Sequence, residues 1–272
     1  MPEQRRSDMD ITKFYLGENE KPLDVIKPDG GFFGIFRTVA CVGDSLSSGE
    51  FESTDAEGRK GYHDYYEYSW GQYMARAAGN TVYNFSRGGM SAKWYLDSFG
   101  NEICAWDRSK ACQAYIFALG VNDVLNQGQE VGSVADIDLE NCENNKPTFA
   151  GYYAKIIQKY KQISPDGYFF LMTMARTERE NERIMKHRAL LYDLAKTFTR
   201  TYVIDLAEYG PCYDAEFRRN FYLGGHLNAA GYLLTAQMVM SYIDYLVRRE
   251  PEDFAQVGFI NKGFHNMQAR WL

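Results

Sequence analysis

The sequence predicts an α/β protein of three layers, in which helices cover both faces of a five-stranded parallel sheet. Short apolar runs typical of buried strands recur along the chain, and segments with apolar residues at three- and four-residue spacing separate them. Alternation of strands and helices in this way is typical of a parallel sheet. The strand candidates are Thr38 to Val42, Thr81 to Phe85, Tyr115 to Leu119, Tyr168 to Met174 and Tyr202 to Ile204.

The helical pattern is clearest in four segments that lie between or after these strands. In a sheet of this kind, ligands bind at the carboxyl ends of the strands, near the point where the strand order reverses. We therefore look for chemistry in the residues that directly follow each strand. The helix candidates are Trp70 to Ala78, Phe149 to Ile163, Glu180 to Thr199 and Ala229 to Arg248.

We expect residues 1–272 to form one domain, because α/β folds of this length commonly have a single core. Residues 1–37 are polar, contain a Pro-Asp-Gly-Gly turn and predict an irregular N-terminal arm. Residues 38–248 form the predicted core. Residues 249–272 form a C-terminal tail whose aromatic residues, among them Phe254 and Trp271, either pack on the body or meet a partner chain. The oligomeric state stays open.

Composition excludes several classes of protein. A net charge of −6 argues against nucleic acid as a partner, since its binders concentrate Lys and Arg against phosphates. No apolar run is long enough to span a membrane, and the charged N-terminus is unlike a signal peptide. Five cysteines lack the paired spacing of a zinc site. We expect a cytoplasmic protein with reduced cysteines and no membrane partner.

The first candidate residue is Ser45, in the run Gly43-Asp44-Ser45-Leu46-Ser47 directly after the first strand. A serine on a tight turn at this end of the sheet is well placed for nucleophilic attack, and backbone N–H groups there can stabilise an oxyanion. For an isolated Gly-Asp-Ser, a turn in which Asp44 or Ser45 only caps a helix is the better explanation.

Two further blocks follow the next strands. Asn122 stands in Gly120-Val121-Asn122-Asp123, where its amide can point at a substrate oxygen, although Asn-Asp is also a common turn. Gly89 stands in Arg87-Gly88-Gly89-Met90, where the lack of a side chain lets a backbone N–H approach a ligand, although a sharp turn explains the glycines as well.

The fourth block begins at His226, just before the last long helix. A serine nucleophile needs a base, and imidazole is the usual base near neutral pH. The other histidines lie in an aromatic loop (His63), on a charged helix (His187) and in the tail (His265), so His226 is the best candidate. A histidine that caps the helix is the competing interpretation.

Taken in order, the four blocks resemble the SGNH (GDSL-like) hydrolases, named after Ser, Gly, Asn and His in four sequence blocks. The resemblance implies Ser45 as nucleophile, His226 as base, and the Ser45 N–H, Gly89 and Asn122 as oxyanion donors. It also implies the three-layer fold predicted above, without a metal or an organic cofactor. The resemblance covers Thr38 to Arg248.

One position departs from the family. An Asp usually stands three residues before the histidine, but the residue there is Leu223, followed by two glycines. Three explanations stay open: a Ser–His dyad with a backbone carbonyl orienting the ring, a carboxylate from elsewhere such as Asp205 or Asp214, or an impaired enzyme.

Tyrosines follow Ser45 closely and suggest a carbohydrate ligand, because aromatic faces stack on sugar rings. We single out Tyr62, Tyr65 and Tyr66 as candidate substrate contacts, although rings packed under a loop would give the same pattern. The expected reaction is hydrolysis of an acetyl or other short acyl ester on carbohydrate. A lysophospholipase or thioesterase, and a catalytically impaired carbohydrate-binding module, are the alternatives. A flavodoxin-like nucleotide-binding protein would use the same sheet, but the first strand is followed by neither a Gly-x-Gly-x-x-Gly fingerprint nor a Walker loop, which favours the enzyme.

Overall fold

The computed structural model describes residues 9–178 and 181–266. Five strands form a sheet in which every pairing is parallel, in the order fourth, first, fifth, sixth, seventh along the chain. The predicted five-stranded parallel sheet is confirmed, and its strands end within two residues of the predicted bounds. The strands are β1 (Thr38–Gly43), β2 (Glu50–Thr54), β3 (Lys60–Asp64), β4 (Thr81–Ser86), β5 (Ala114–Ala118), β6 (Tyr168–Met172), β7 (Thr201–Ile204), β8 (Tyr222–Leu223) and β9 (His226–Leu227).

The four predicted helices are confirmed, two of them with the predicted bounds. The helix expected from Glu180 begins two residues later, because the Asn181 side chain accepts a hydrogen bond from the backbone N–H of Arg183 and so caps it. The helices are α1 (Ser45–Ser48), α2 (Trp70–Ala78), α3 (Ala92–Trp94), α4 (Gly100–Glu102), α5 (Phe149–Ile163), α6 (Glu182–Thr197), α7 (Leu206–Tyr209), α8 (Ala215–Phe221), α9 (Ala229–Arg249) and α10 (Pro251–Phe254).

The helices form a layer on each face of the sheet. Alternate residues of a strand point to opposite faces, so Ala40 and Val42 pack with α5 and α6, whereas Val39 and Cys41 pack with α2 and α9. Strands buried on both faces explain the continuous apolar runs in the sequence. The arrangement is the three-layer α/β/α fold that the pattern predicts.

The arm and the tail both pack on the body. Phe36 of the arm is fully buried, and its ring contacts that of Phe170 in β6 at 5.9 Å between centroids and that of Phe254 in the tail at 6.3 Å. Arg248 joins the arm through a hydrogen-bonded ion pair with Glu20 at 2.5 Å. Of the two possibilities for the tail, packing on the body is therefore observed for Phe254. Trp271, the charged residues before Met9, and residues 179–180 lie outside the described part.

Two short antiparallel hairpins, β2–β3 and β8–β9, stand apart from the main sheet. Neither is among the predicted strands. Among the described residues, no helix has both the length and the apolar character that crossing a membrane requires.

Candidate active site

Ser45 is the first residue of α1 and stands where β1 leaves the sheet. The turn before it is fixed by side chains that bond locally. The Asp44 carboxylate accepts from the backbone N–H of Leu46 at 3.0 Å, and the hydroxyls of Ser47 and Ser86 lie 2.8 Å apart. Asp44 therefore performs the capping that was the competing explanation for this motif, which leaves the Ser45 side chain for another role.

A cleft of about 620 Å³ opens above this turn and is lined by Ser45, Gly89, Asn122 and His226, the four residues singled out in the sequence. Three of them follow β1, β4 and β5, which are neighbours in the sheet. The chain leaves β1 toward β4 on one side and reaches β5 on the other, so the cleft lies where the strand order reverses, as expected for this fold. We call it the Ser45 cleft.

The three oxyanion candidates have free donors. Gly89 has a φ of 71°, which favours glycine, and no acceptor is found among the described residues for its N–H or for that of Ser45. The Asn122 amide nitrogen donates to the carbonyl of Met90 at 3.0 Å, while its oxygen accepts from Asn126 at 2.8 Å. Because an amide nitrogen carries two hydrogens, one remains for a substrate oxygen.

His226 lies on β9 and does not cap α9, because the Asn228 side chain accepts from the N–H of Gly231 and performs that role. The ring is mostly buried, and this burial lowers the pKa of His226, so the imidazole is neutral near pH 7 as a general base must be. Ser45 and His226 share the cleft, although within the described residues no hydrogen bond joins the Ser45 hydroxyl to the ring.

Two carboxylates of β2 flank this imidazole. Glu50 Oε1 lies 3.0 Å from Nε2, and Glu52 Oε2 lies 3.8 Å from Nδ1. Glu52 also accepts from the N–H of Gly225 at 2.7 Å and pairs with Lys60 at 2.5 Å, and these contacts lower its pKa. Burial, with the negative charges of Asp64 and Glu52, raises the pKa of Glu50 to about 7.

The two carboxylates considered from sequence are used elsewhere. Asp205 is fully buried and bonds Arg188 at 2.7 Å and Tyr192 at 2.8 Å. Asp214 caps α8 by accepting from the N–H of Phe217 at 2.8 Å. Neither contacts His226, so both suggestions are wrong.

The sequence contained a signal for the carboxylates that were missed. Residues 50–54 and 60–64 flank an Asp-Ala-Glu-Gly turn, as in a hairpin, and residues two apart on a strand share a face. Glu50 and Glu52 therefore point the same way. Their partners across the hairpin, Asp64 and Tyr62, share that face.

Glycines leave room for the carboxylates of Glu50 and Glu52 beside His226. A Cβ on Gly88 would lie 1.9 Å from Glu50 Oε2, and one on Gly225 would lie 2.9 Å from Glu52 Oε2. Any side chain at either position would displace the carboxylate next to it. The Gly224-Gly225 pair thus has a role that sequence reasoning did not assign.

The tyrosine candidates separate in the structure. Tyr62 lines the Ser45 cleft and meets the His226 ring edge-on, with 5.8 Å between ring centroids. Tyr65 is half exposed and stacks on His63, and Tyr66 is exposed on a 3-10 turn. Neither of these two lines the cleft.

A second, apolar cavity of about 190 Å³ adjoins the first. Its walls come from the ends of β5 and β6 and from α6, and they include Leu119, Met172 and Ile184. Residues that line both spaces are Asp44, Leu46, Val121, Arg218 and Tyr222. No group of three or more metal-ligating side chains is found in the described ranges.

A three-layer α/β/α fold that gathers serine, glycine, asparagine and histidine at one edge of its sheet is that of an SGNH-type hydrolase. Residues 41–234 match the GDSL-like Lipase/Acylhydrolase family. The chain belongs to this family. A search of curated protein sequences finds no match.

Solved structures of similar fold include a family two carbohydrate esterase from Clostridium thermocellum in complex with cellohexaose (TM-score 0.57, 13% identity, covering 78% of this chain and 64% of that one). A carbohydrate esterase family 2 enzyme from Corynascus thermopiles (Myceliophthora fergusii) gives 0.51 at 15% identity, with coverages of 77% and 66%. A psychrotrophic esterase from Pseudoalteromonas gives 0.50 at 13%, with coverages of 78% and 98%. At these identities the likeness concerns the fold.

Proposed function

We propose that the chain is a serine ester hydrolase in which Ser45 is the nucleophile and His226 its general base. The observation that carries the proposal is that residues distant in sequence, Ser45, Gly89, Asn122 and His226, line one cleft at the carboxyl edge of the sheet. The lowered pKa of His226 suits a base that works near neutral pH.

The mechanism follows from these positions. His226 takes the hydroxyl proton as Ser45 Oγ attacks the ester carbonyl, and the N–H groups of Ser45 and Gly89 with the Asn122 amide stabilise the oxyanion. His226 then gives its proton to the leaving alcohol, which departs and leaves an acyl-serine. Water, deprotonated by the same imidazole, attacks the acyl-serine, and the acid is released while Ser45 regains its proton.

The first substrate candidate is an acetyl or other short acyl ester on a carbohydrate. Tyr62 stands in the cleft with its hydroxyphenyl ring beside His226, where a sugar bearing the ester would lie. A ring of this kind packs on the apolar face of a sugar and bonds its hydroxyls. Esterases of carbohydrate are also among the proteins of similar fold.

The apolar cavity favours a second candidate, an ester or thioester with a longer acyl chain. Its lining of Leu119, Met172 and Ile184 would bury an alkyl chain, at about 0.8 kcal/mol for each CH₂ group. This apolar cavity begins beside the turn that carries Ser45, because Asp44 and Leu46 line both the cavity and the Ser45 cleft.

The proposal is tested by hydrolysis of p-nitrophenyl acetate with the wild-type chain and with Ser45→Ala. We expect turnover to fall by about 10⁴ to 10⁶, because the nucleophile and base act as a unit. Ser109→Ala, which removes an exposed hydroxyl on a surface turn, is the matched control and should retain full activity. Equal activity in wild type and Ser45→Ala would remove Ser45 from the mechanism.

A series of p-nitrophenyl esters from acetate to octanoate, run beside an acetylated oligosaccharide, separates the two substrates. The carbohydrate candidate predicts the highest kcat/KM for acetate and for the acetylated sugar. The apolar-cavity candidate predicts that kcat/KM rises with chain length. A wild-type chain that hydrolyses none of these esters yet binds the sugar would favour the binding module.

A further inference from the structure

The Asp that SGNH hydrolases usually place three residues before the histidine is missing here, since that residue is Leu223. Its side chain is half exposed, and β8 pairs with β9 so that Leu223 stands opposite His226. Asp205 and Asp214 are bonded elsewhere. Without a partner, the neutral imidazole would be free to turn and to choose either tautomer.

We propose that Glu52, carried by the β2–β3 hairpin, is the positioning residue that orients His226 in place of the absent Asp. The proposal rests on the esterase function above. In the structure Glu52 Oε2 faces Nδ1 at 3.8 Å, which is longer than a hydrogen bond, and Nδ1 has no other partner among the described residues. Hydrogen bonds of this kind often shorten only once substrate is bound.

Glu52 is built to stay charged and in place. Its side chain is 6% exposed, and both of its oxygens are held, one by the Gly225 N–H and the other by the Lys60 ammonium. Gly225 has no side chain that would push the carboxylate away. A fixed anion opposite Nδ1 favours the tautomer that carries its proton there, which leaves Nε2 free to act as the base.

Glu50 differs from Glu52 in its charge. Since the pKa of Glu50 is raised to about 7, a large fraction of this group is protonated near neutral pH, and its acid hydrogen can point at Nε2 across 3.0 Å. Glu50 then donates to the same nitrogen that later takes the serine proton. This contact belongs to the resting site and must give way when substrate enters, whereas the contact with Glu52 is kept.

Other charged groups near the ring also raise or lower the pKa of His226. Asp64 raises the pKa of His226, and Lys60 lowers it. Removing the negative charge of Glu52 destabilises the imidazolium and lowers the pKa of His226 further. Because kcat/KM needs the neutral imidazole, its acid limb then moves to lower pH. The remaining groups that face the ring are Glu50 and Tyr62, with Asp44 and Arg218 across the cleft.

The test compares the wild-type chain with Glu52→Gln, which keeps the shape and removes the charge. We expect kcat to fall about 100-fold or more with little change in KM, and by less than the about 10⁴-fold that loss of a triad carboxylate can cost. Glu50→Gln, which still offers a donor to Nε2, should lose less. Glu57→Gln, an exposed glutamate on the turn of the same hairpin, should leave kcat unchanged.

A second variant restores a carboxylate from the other side. Leu223→Asp in the Glu52→Gln background places an acid opposite His226, at a half-exposed position where the new charge stays in contact with water. We expect it to recover kcat at least about 10-fold. A purely structural role for Glu52 would not respond in this way. If Glu52→Gln fails to fold, Glu52→Asp replaces it, since this variant keeps the charge but withdraws it by one carbon. Its kcat should lie between that of wild type and that expected for Glu52→Gln.

Titration of His226 by NMR gives a readout that does not depend on any ester. We expect the pKa of His226 to drop in Glu52→Gln, because the carboxylate that favours the charged imidazolium is gone. A drop supports the contact even in a chain that hydrolyses none of the esters tested, so failure of the esterase proposal stays distinct. An unchanged pKa, a kcat within threefold of wild type, or a larger loss in Glu50→Gln than in Glu52→Gln overturns the proposal.

Discussion

The two sides of the Ser45 cleft are built in different ways. On one side, Ser45, Gly89 and Asn122 follow strands whose ends are paired, with Gly43 of β1 opposite both Ser86 of β4 and Ala118 of β5. On the other side, His226 stands on a hairpin of two-residue strands and faces a second hairpin, and neither belongs to the main sheet.

This difference indicates which residues of the site are fixed by the sheet and which can be supplied by another segment of the chain. Ladder hydrogen bonds and burial on both faces fix the ends of β1, β4 and β5, so the residues after them keep their positions whenever the sheet forms. In the proposed site, His226 depends on one carboxylate, that of Glu52, which is held against glycines. Such a partner can come from another segment, as it does here, without altering the sheet.

The sheet side should show the largest effect. Asn122→Ala removes one oxyanion donor while the neighbouring strand ends stay paired, so we expect kcat to fall about 10² to 10³-fold with KM little changed. Steady-state kinetics on p-nitrophenyl acetate measure it. Asn144→Ala, which removes an amide from a surface loop, is the control. A rise in KM at constant kcat would mean that Asn122 binds the ground state and does not act on the transition state.

On the hairpin side, we expect the titration of Glu50 to change how the stability of the chain depends on pH. The pKa of Glu50 is raised from its ordinary 4.5 to about 7 by burial and by its acidic neighbours. The folded chain therefore holds this proton at pH values where the unfolded chain has lost it, so Glu50 contributes stability below about pH 4.5 that is lost as the pH rises through about 7.

Glu50→Gln removes this titration. We expect the melting temperature of wild type to fall more steeply between pH 4.5 and 7 than that of the variant, because only wild type has a titratable carboxyl group at position 50. Thermal unfolding followed by circular dichroism across this range measures it. Parallel curves for the two chains would show that Glu50 titrates normally.

The smallest effect is expected at Asp214, which caps α8 and does not contact the base. Asp214→Ala should cost about 1 kcal/mol of stability and lower the melting temperature by about 2–4 °C. Asp214→Asn keeps a capping oxygen and should melt near wild type. The acid limb of kcat/KM should stay in place in both variants, and a displaced limb would return Asp214 to the surroundings of His226.

The sequence predicted the sheet, the four long helices and the four residues that line the cleft, because these leave local marks. Buried strands such as β1 are continuous apolar runs, and residues such as Ser45 and Asn122 directly follow them. The hairpins left weaker marks. Residues 50–53 alternate a glutamate with an apolar or small residue, and β8–β9 has only four strand residues around Gly224 and Gly225.

The amino-acid sequence by itself determined the fold class, the candidate residues Ser45, Gly89, Asn122 and His226, and the family that these residues resemble. It could do so because hydrophobic periodicity and the ends of strands are local properties. Only the tertiary structure decided which carboxylate meets His226. Glu52 is 174 residues away in the chain, and its approach depends on hairpin register, on the Lys60 ion pair and on the bare backbone of Gly225. Contacts between distant segments follow from packing, and the pattern of either segment alone does not contain them.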